Sequence, residues 1–416
     1  MTALSVADRR AYQANVWKSY ALGFLHSFQL WWPIWVIYLT DLRGFSLTQV
    51  SVLEALFWVV IVLSEVPTGA VADRFGRKTS LVLAAACTTL AVLVFGLATN
   101  YWIVLVSYVA WGFGLTFQSG ADSALVFESL KAVGREHDYR RVAGVGWAIF
   151  SLGTLAGMLL GAPLATVTDL SFPIVLSAAI AFLTVIVALT LKEPELPEGE
   201  ERLAYRHLVG EARRTAWRLP PVRSMLLLAA VLIGATNAAA IFAQPFLSSH
   251  DVPVALFGVA QAPVRMAGII GALAAYRISA TFGIRSTFIT VPMLMVGSYA
   301  LLGGWNSVYA FAGMAVITFT HSLLLPVVAD YLNQRIPNNQ RATILSFRQL
   351  MSSLVIASFQ PGLGVIADRV ALVGVFWASA ALLAAAAPVA LLLWLRADRQ
   401  ERDRPASLSR GAEAAG

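Results

Sequence analysis

Charge is scarce in this chain. Asp, Glu, Lys and Arg make up 13% of its 416 residues, about half the share usual in a soluble domain. Cysteine is nearly absent: Cys87 stands alone, which excludes a disulfide framework and a cysteine-based metal site. The five histidines, His26, His137, His207, His250 and His321, are scattered without metal-ligand spacing, so neither a metal nor a cofactor is expected. No nucleophile–base pairing and no nucleotide-binding loop is visible, which argues against an enzyme. The first twenty residues are too polar for a signal peptide, and no small-residue cleavage site follows the first apolar run. That run is expected to stay in the protein as a first span.

What is present is apolar. Hydrophobic residues make up 58% of the chain, and the mean hydropathy is +0.72. Such a chain has the bilayer as its main solvent, and lipid accepts only helices or closed barrels. The apolar runs are about 20 residues long, where barrel strands would be about 10 and alternating. The expected fold class is all-α and integral to the membrane. A hydropathy window gives twelve transmembrane helices, at 17–40, 48–72, 80–98, 102–127, 142–165, 172–191, 224–247, 254–276, 286–303, 306–330, 342–366 and 372–395. They divide into an N-terminal six-helix bundle (1–191), a central loop (192–223), a C-terminal six-helix bundle (224–395) and a tail (396–416).

The 30 Lys and Arg residues fix an orientation. With both termini cytoplasmic, only Arg43 and Arg369 fall in outer loops, and only Arg265 and Arg348 lie deep inside spans, Lys18 standing at the inner edge of the first. This is a strong positive-inside bias. It accounts for the net charge of +7 without nucleic acid as a partner. The central loop opens with Pro and acids. A basic, helix-like stretch over Leu203–Trp217 follows, expected to lie along the membrane surface with Trp217 at the interface.

The two halves echo one another at a spacing near half the chain. Gly69 to Arg77 has a faded copy at Gly271 to Arg285. Glu128 and Arg141 are matched by Asp330 and Arg341, and the stretch ending at Asp169 by the one ending at Asp368. Two six-helix repeats in the same orientation imply a transporter with its substrate site near midplane.

Between two apolar segments stands SEVPTGAVADRFGRKTS, residues 64–80. A turn that only set topology would need cations alone, and Gly69, Asp73 and Gly76 would go unexplained. Gly69, Asp73, Arg74, Gly76, Arg77 and Lys78 match in full the pattern Gly-x-x-x-Asp-Arg-x-Gly-Arg-Arg/Lys. With the twelve spans, the half-chain repeat and the central loop, the chain resembles the major facilitator superfamily over nearly its whole length. The resemblance implies two six-helix repeats, transport by alternating access, and a gating role for this loop. Its acidic partners would lie at the inner end of span 4, at Glu128 or at Asp122. The second-half copy lacks the Asp, which implies a weaker latch there.

Ionisable residues inside spans mark function by default. Here they are Glu54, Glu65, Asp122, Arg265 and Arg348. Glu65 and Arg348 lie at similar inner depth, about 10–12 Å from the charged turns at 1.5 Å per residue. They are expected to bridge the halves when the inner side is shut, or to pair locally. Asp122 is a candidate coupling residue, or a partner of Arg74 or Arg77. Arg265 suits an anionic substrate group. His26 and His321 lie on cavity-lining spans, as structural or proton-carrying groups. Gln29, Gln118, Asn237 and Gln244 are polar points for substrate hydrogen bonds. Trp31, Trp32 and Trp35 are interfacial anchors or a stacking surface. Gly153, Gly157 and Gly161 with Pro163 resemble in part a drug–antiporter pattern, with Pro one place late and no Arg in span 4.

The expected function is proton-coupled efflux of small hydrophobic compounds by a bacterial, drug-efflux-like transporter. The alternatives are a transporter of a polar or anionic metabolite and a non-transporting membrane sensor. The expected partners are a small-molecule substrate, protons and the lipid bilayer of the cell membrane, with the protein a monomer.

Overall fold

The computed structural model describes residues 5–194, 214–337 and 340–403. No strand occurs among them, and every long element is a helix. Eleven of the described helices are long and apolar enough to cross a membrane. The first span completes the twelve. It escapes that count because it is broken.

Span 1 begins at Ser5, whose hydroxyl caps the first turn by accepting from the Asp8 N–H at 3.0 Å, and runs as a helix over Val6–Ser27. Helix is then lost until Trp35. Pro33 explains part of this: it has no N–H to give, and its ring pushes Trp32 away from helical geometry. The chain resumes as Trp35–Ile37 and continues as a wide π-type turn over Tyr38–Leu42. Span 2, Leu47–Phe75, starts from a reciprocal cap. Ser46 accepts from the Gln49 N–H, and the Gln49 side chain accepts from the Ser46 N–H at 2.9 Å. It stops at Gly76, where φ is +94°. Span 3 follows at once as Arg77–Leu97.

Span 4, Tyr101–Ala132, is capped by Asn100 and interrupted at Ser119–Gly120, where Gly120 takes a left-handed φ of +74°. Spans 5 and 6 are Tyr139–Val167 and Phe172–Leu189. Span 7 is also divided, into Pro220–Ala240 and Ala243–Ser249. Spans 8 to 12 are Phe257–Phe282, Ile284–Gly304, Ala312–Asn333, Arg341–Arg369 and Leu372–Arg402. The last helix continues well past the apolar window that ended at 395. Of the surface helix expected over Leu203–Trp217, the part at 203–213 lies outside the described residues. Residues 214–218 are helical, and Trp217 is exposed.

The chain forms two compact units. The first takes in the described part of 1–202 with 241–265 and 360–372. The second takes in the described part of 203–240 with 266–359 and 373–416. In the first unit, span 3 packs on spans 4 and 6, span 2 on span 4, and span 1 on spans 5 and 6. Span 5 reaches span 1 through its glycines. A Cβ at Gly157 would stand 2.8 Å from the Gln29 carbonyl oxygen, and Gly153 and Gly161 are crowded by Phe24 and Leu30 in the same way. The glycine stripe therefore lets one helix lie directly on the broken backbone of another. In the second unit, span 10 packs on spans 7 and 9.

Candidate functional site

The turn at Gly76 is built by an acid that the charge pattern did not reveal. The first N–H groups of span 3 have no partners within their own helix. Glu193, just past the end of span 6, supplies them: its two carboxylate oxygens accept from the N–H groups of Arg77 and Lys78 at 2.7 and 2.6 Å. A Cβ on Gly76 would stand 2.8 Å from that carboxylate. Both the positive φ and the near approach require glycine here. The Arg77 side chain turns the other way. It pairs with Asp73 at 3.0 Å and faces Glu128 of span 4 at 3.7 Å. The Arg74 guanidinium lies over the Phe75 ring, 5.4 Å from its centre. Of the two acids weighed as partners of the turn, Glu128 takes the place. Asp122 points elsewhere: it accepts from the Ser123 N–H at 2.6 Å and stays exposed, with no ion pair among the described residues. A Cβ at Gly69 would meet only open space, so packing gives no reason for that glycine.

The amino end of span 1 is tied into the same region. Asn15, fully buried, donates to the Lys192 carbonyl and to Ser129. Asp8 meets Lys192 at 3.4 Å. A hydrogen bond from Ser5, then the Lys192 ammonium, hold the Asp8 carboxyl below its ordinary range. This tie is present above the ordinary carboxylate range and is lost as pH falls through the depressed value.

The second unit has its own charge cluster, built without an acid in the turn between spans 8 and 9. Asp330 accepts from Gln334 at 2.9 Å, and Arg341 donates to the Asn333 carbonyl at 3.0 Å. These two residues are not joined. The acid missing from the span 8–9 turn is replaced by Asp398, near the end of span 12 and 0% exposed. Arg285 meets it at 2.8 Å, Arg402 at 3.3 Å and Arg335 at 3.5 Å, and the Tyr331 hydroxyl donates to it at 3.1 Å. Arg335 also pairs with Glu401 at 2.8 Å and lies 3.7 Å from the centre of the Tyr331 ring. In each unit a carboxylate meets the start of a helix: Glu193, past the end of span 6, that of span 3, and Asp398, in span 12, that of span 9. Glu193 and Asp398 occupy parts of the sequence that hydropathy treats as polar edges.

At the opposite end of the first unit lies the break in span 1. Its bare backbone groups are satisfied by side chains distant in sequence. Gln244 accepts from the Val36 N–H at 2.8 Å and donates to the Trp32 carbonyl at 2.8 Å. Gln261 donates to the Pro33 carbonyl at 3.1 Å. Asp368 caps span 2 by accepting from the N–H groups of Leu47 and Thr48 and from the Thr48 hydroxyl, at 3.0, 2.8 and 2.6 Å. Gln29 is buried and engaged as well, donating to the His26 carbonyl and accepting from the Trp31 indole N–H. Gln29 and Gln244 are therefore not free cavity hydrogen-bonders. Gln244 is spent on irregular backbone, and Gln29 on the His26 carbonyl and the Trp31 indole, because a polar group bared inside a membrane must find a partner within the protein.

Beside this break, Trp32 stacks on Trp31 with ring centres 4.9 Å apart, and the Arg265 guanidinium lies over Trp32 at 5.0 Å. Arg265 is exposed and has no ion pair among the described residues. Trp31 is buried in an aromatic group with Phe95 and Trp111, which makes it bundle core rather than an interfacial anchor. His26 and Gln118 are half-buried. Glu65 belongs to the first unit and is half-buried; Arg348 belongs to the second, and its Nε is sealed without a hydrogen-bond partner among the described residues. In the second unit, Asn237 donates to the Ile233 carbonyl, and the His321 ring meets the Thr236 hydroxyl at 3.0 Å. No three His, Cys, Asp or Glu residues among those described stand close enough to hold a metal.

The sequence profile of the Major Facilitator Superfamily matches residues 20–360. No curated protein is similar enough in sequence to match. Among solved structures, a mutant of the nucleoside transporter NupG superposes with a TM-score of 0.79 at 13% identity, over 91% of this chain and 100% of that one. NupG itself gives 0.73 at 14% identity, over 91% and 99%. A bacterial homologue of the human lysosomal transporter Spinster, inward-facing and unoccupied, gives 0.66 at 17% identity, over 95% and 96%. At these identities the likeness is one of fold.

Proposed function

The chain belongs to the major facilitator superfamily, and from that premise we propose that it is a secondary transporter working by alternating access on small solutes that join an anionic group to a flat apolar part. One observation carries this reading: Arg265, exposed and without an ion pair among the described residues, laid over the face of Trp32. A cation at membrane depth is costly unless it has a counter-charge or does work. A guanidinium presents a planar fork suited to a carboxylate or phosphate, and the adjoining indole offers a face for an aromatic or flat group.

Efflux of purely apolar compounds has less support. The span 5 glycines that suggested it are accounted for by their packing on span 1. Proton coupling belongs to the same proposal, with Asp122, an exposed carboxylate without an ion pair among the described residues and beside the kink of span 4, as the coupling group. The setting proposed is a cell membrane, with both termini cytoplasmic and the protein monomeric.

A thermal-stability screen of the purified protein tests the solute class. Aromatic carboxylates are compared with their uncharged amides and with lipophilic cations. The proposal expects the carboxylates alone to raise the melting temperature, and Arg265→Gln to abolish the rise. Stabilisation by the cations, or equal stabilisation by acid and amide, overturns it.

A further inference from the structure

His321 lies in span 10 in the second unit, half-buried, and one of its ring nitrogens is committed. Nδ1 stands 3.0 Å from the Thr236 hydroxyl. Distance alone leaves open which of the two donates. The surroundings of Thr236 decide it. A hydroxyl has a single proton, and the Thr236 oxygen is placed to give it to its own helix, 2.8 Å from the Leu232 carbonyl and 3.0 Å from the Ile233 carbonyl. In that arrangement the oxygen accepts from His321, Nδ1 carries the ring proton, and in the neutral ring Nε2 is left bare.

Nε2 makes no hydrogen bond among the described residues, yet it is not sealed away like the Nε of Arg348. The Thr236 backbone carbonyl accepts from the buried Tyr299 hydroxyl at 3.3 Å, which braces the backbone that carries the hydroxyl. The Arg348 charge acts on this ring, and a guanidinium offers only donors.

We propose that Thr236 locks His321 as its Nδ1–H tautomer, so that Nε2 serves as a hydrogen-bond acceptor selecting solutes that carry an N–H or O–H donor. His321 is then a specificity residue that touches the solute, and Thr236 is the residue that positions it. The inference deepens the transport reading above and depends on it for the identity of the ligand, but the tautomer itself does not depend on it.

Two measurements separate these. In protein with ¹⁵N-labelled histidine, the His321 signals are assigned by their loss in His321→Gln. The wild type should show a protonated Nδ1 and an unprotonated, pyridine-type Nε2 at neutral pH. Thr236→Val, which keeps the shape and removes the acceptor, should shift the ring toward the Nε2–H form, while Thr236→Ser should leave it unchanged. A wild-type ring protonated at Nε2, or one indifferent to Thr236→Val, overturns the lock whatever the protein transports.

The second measurement is transport of paired solutes that differ only in an N–H or O–H donor. Gln places an amide oxygen near the Nε2 position, whereas the shorter Asn reaches only the Nδ1 position. His321→Gln should keep the preference for the donor-bearing solute. His321→Asn should lose about tenfold of it, the scale of one buried polar group left unpaired. Equal preference in wild type and His321→Asn overturns the selective role even if the tautomer is as proposed. A failed response to anionic solutes would instead strike at the Arg265 reading and leave both histidine results standing.

Discussion

Gly76 shows how much a single backbone angle carries. Its φ of +94° and ψ of 161° lie where side chains are strongly disfavoured, and Glu193 occupies the space a Cβ would take. Gly76→Ala is expected to cost about 1–3 kcal/mol, read as a lower melting temperature in detergent. Gly69→Ala, with open space around its Cβ, should leave that temperature unchanged. Asp398 makes the complementary case. It is fully buried and faces Arg285, Arg335 and Arg402, so Asp398→Ala leaves three cations without their shared counter-charge. The expected loss is about 1–3 kcal/mol, read as a lower melting temperature in detergent. Asp330→Ala, whose carboxylate is met among the described residues only by Gln334, should be close to neutral.

The elements were legible in the sequence where lipid dictates them. Spans such as 80–98 and 286–303 fall within two or three residues of the helices Arg77–Leu97 and Ile284–Gly304, because hydropathy measures what the bilayer selects. The breaks in spans 1, 4 and 7 were not legible, since a window of about 19 residues averages across them. Pro33 and Gly120 were the available signals. The same averaging hid why Gln244 is where it is: its partners are the Val36 N–H and the Trp32 carbonyl, groups with no side-chain signature. Gln244→Ala should expose them. Amide hydrogen exchange across residues 28–42 is expected to quicken about tenfold or more, corresponding to 1–3 kcal/mol for a buried group left unpaired. Exchange across span 3, which Gln244 does not touch, should stay at its wild-type rate. The charged turn was legible as a motif, while its anchor Glu193 was not, because an acid after a span reads as part of a polar loop.

For the whole molecule, family and fold stand on the profile match and the helical architecture. Among the described residues stand an exposed guanidinium at membrane depth on an aromatic face, Arg265 on Trp32, and an exposed carboxylate at a helix kink, Asp122. If transport moves protons, wild-type vesicles should show solute-dependent proton flux, and Asp122→Asn should keep solute binding while losing that flux. Unchanged flux in the mutant would assign coupling to another group.

The most direct measurement is counterflow in proteoliposomes loaded with an aromatic carboxylate. External labelled carboxylate and its labelled amide are offered to wild type, Arg265→Lys and Arg265→Gln. The account predicts exchange of the carboxylate over the amide in wild type. Arg265→Lys should retain part of that preference, because the charge remains and the planar fork is lost. Arg265→Gln should lose it by tenfold or more in protein that still folds. Equal exchange of acid and amide by wild type, or a preference that survives Arg265→Gln, would contradict the account.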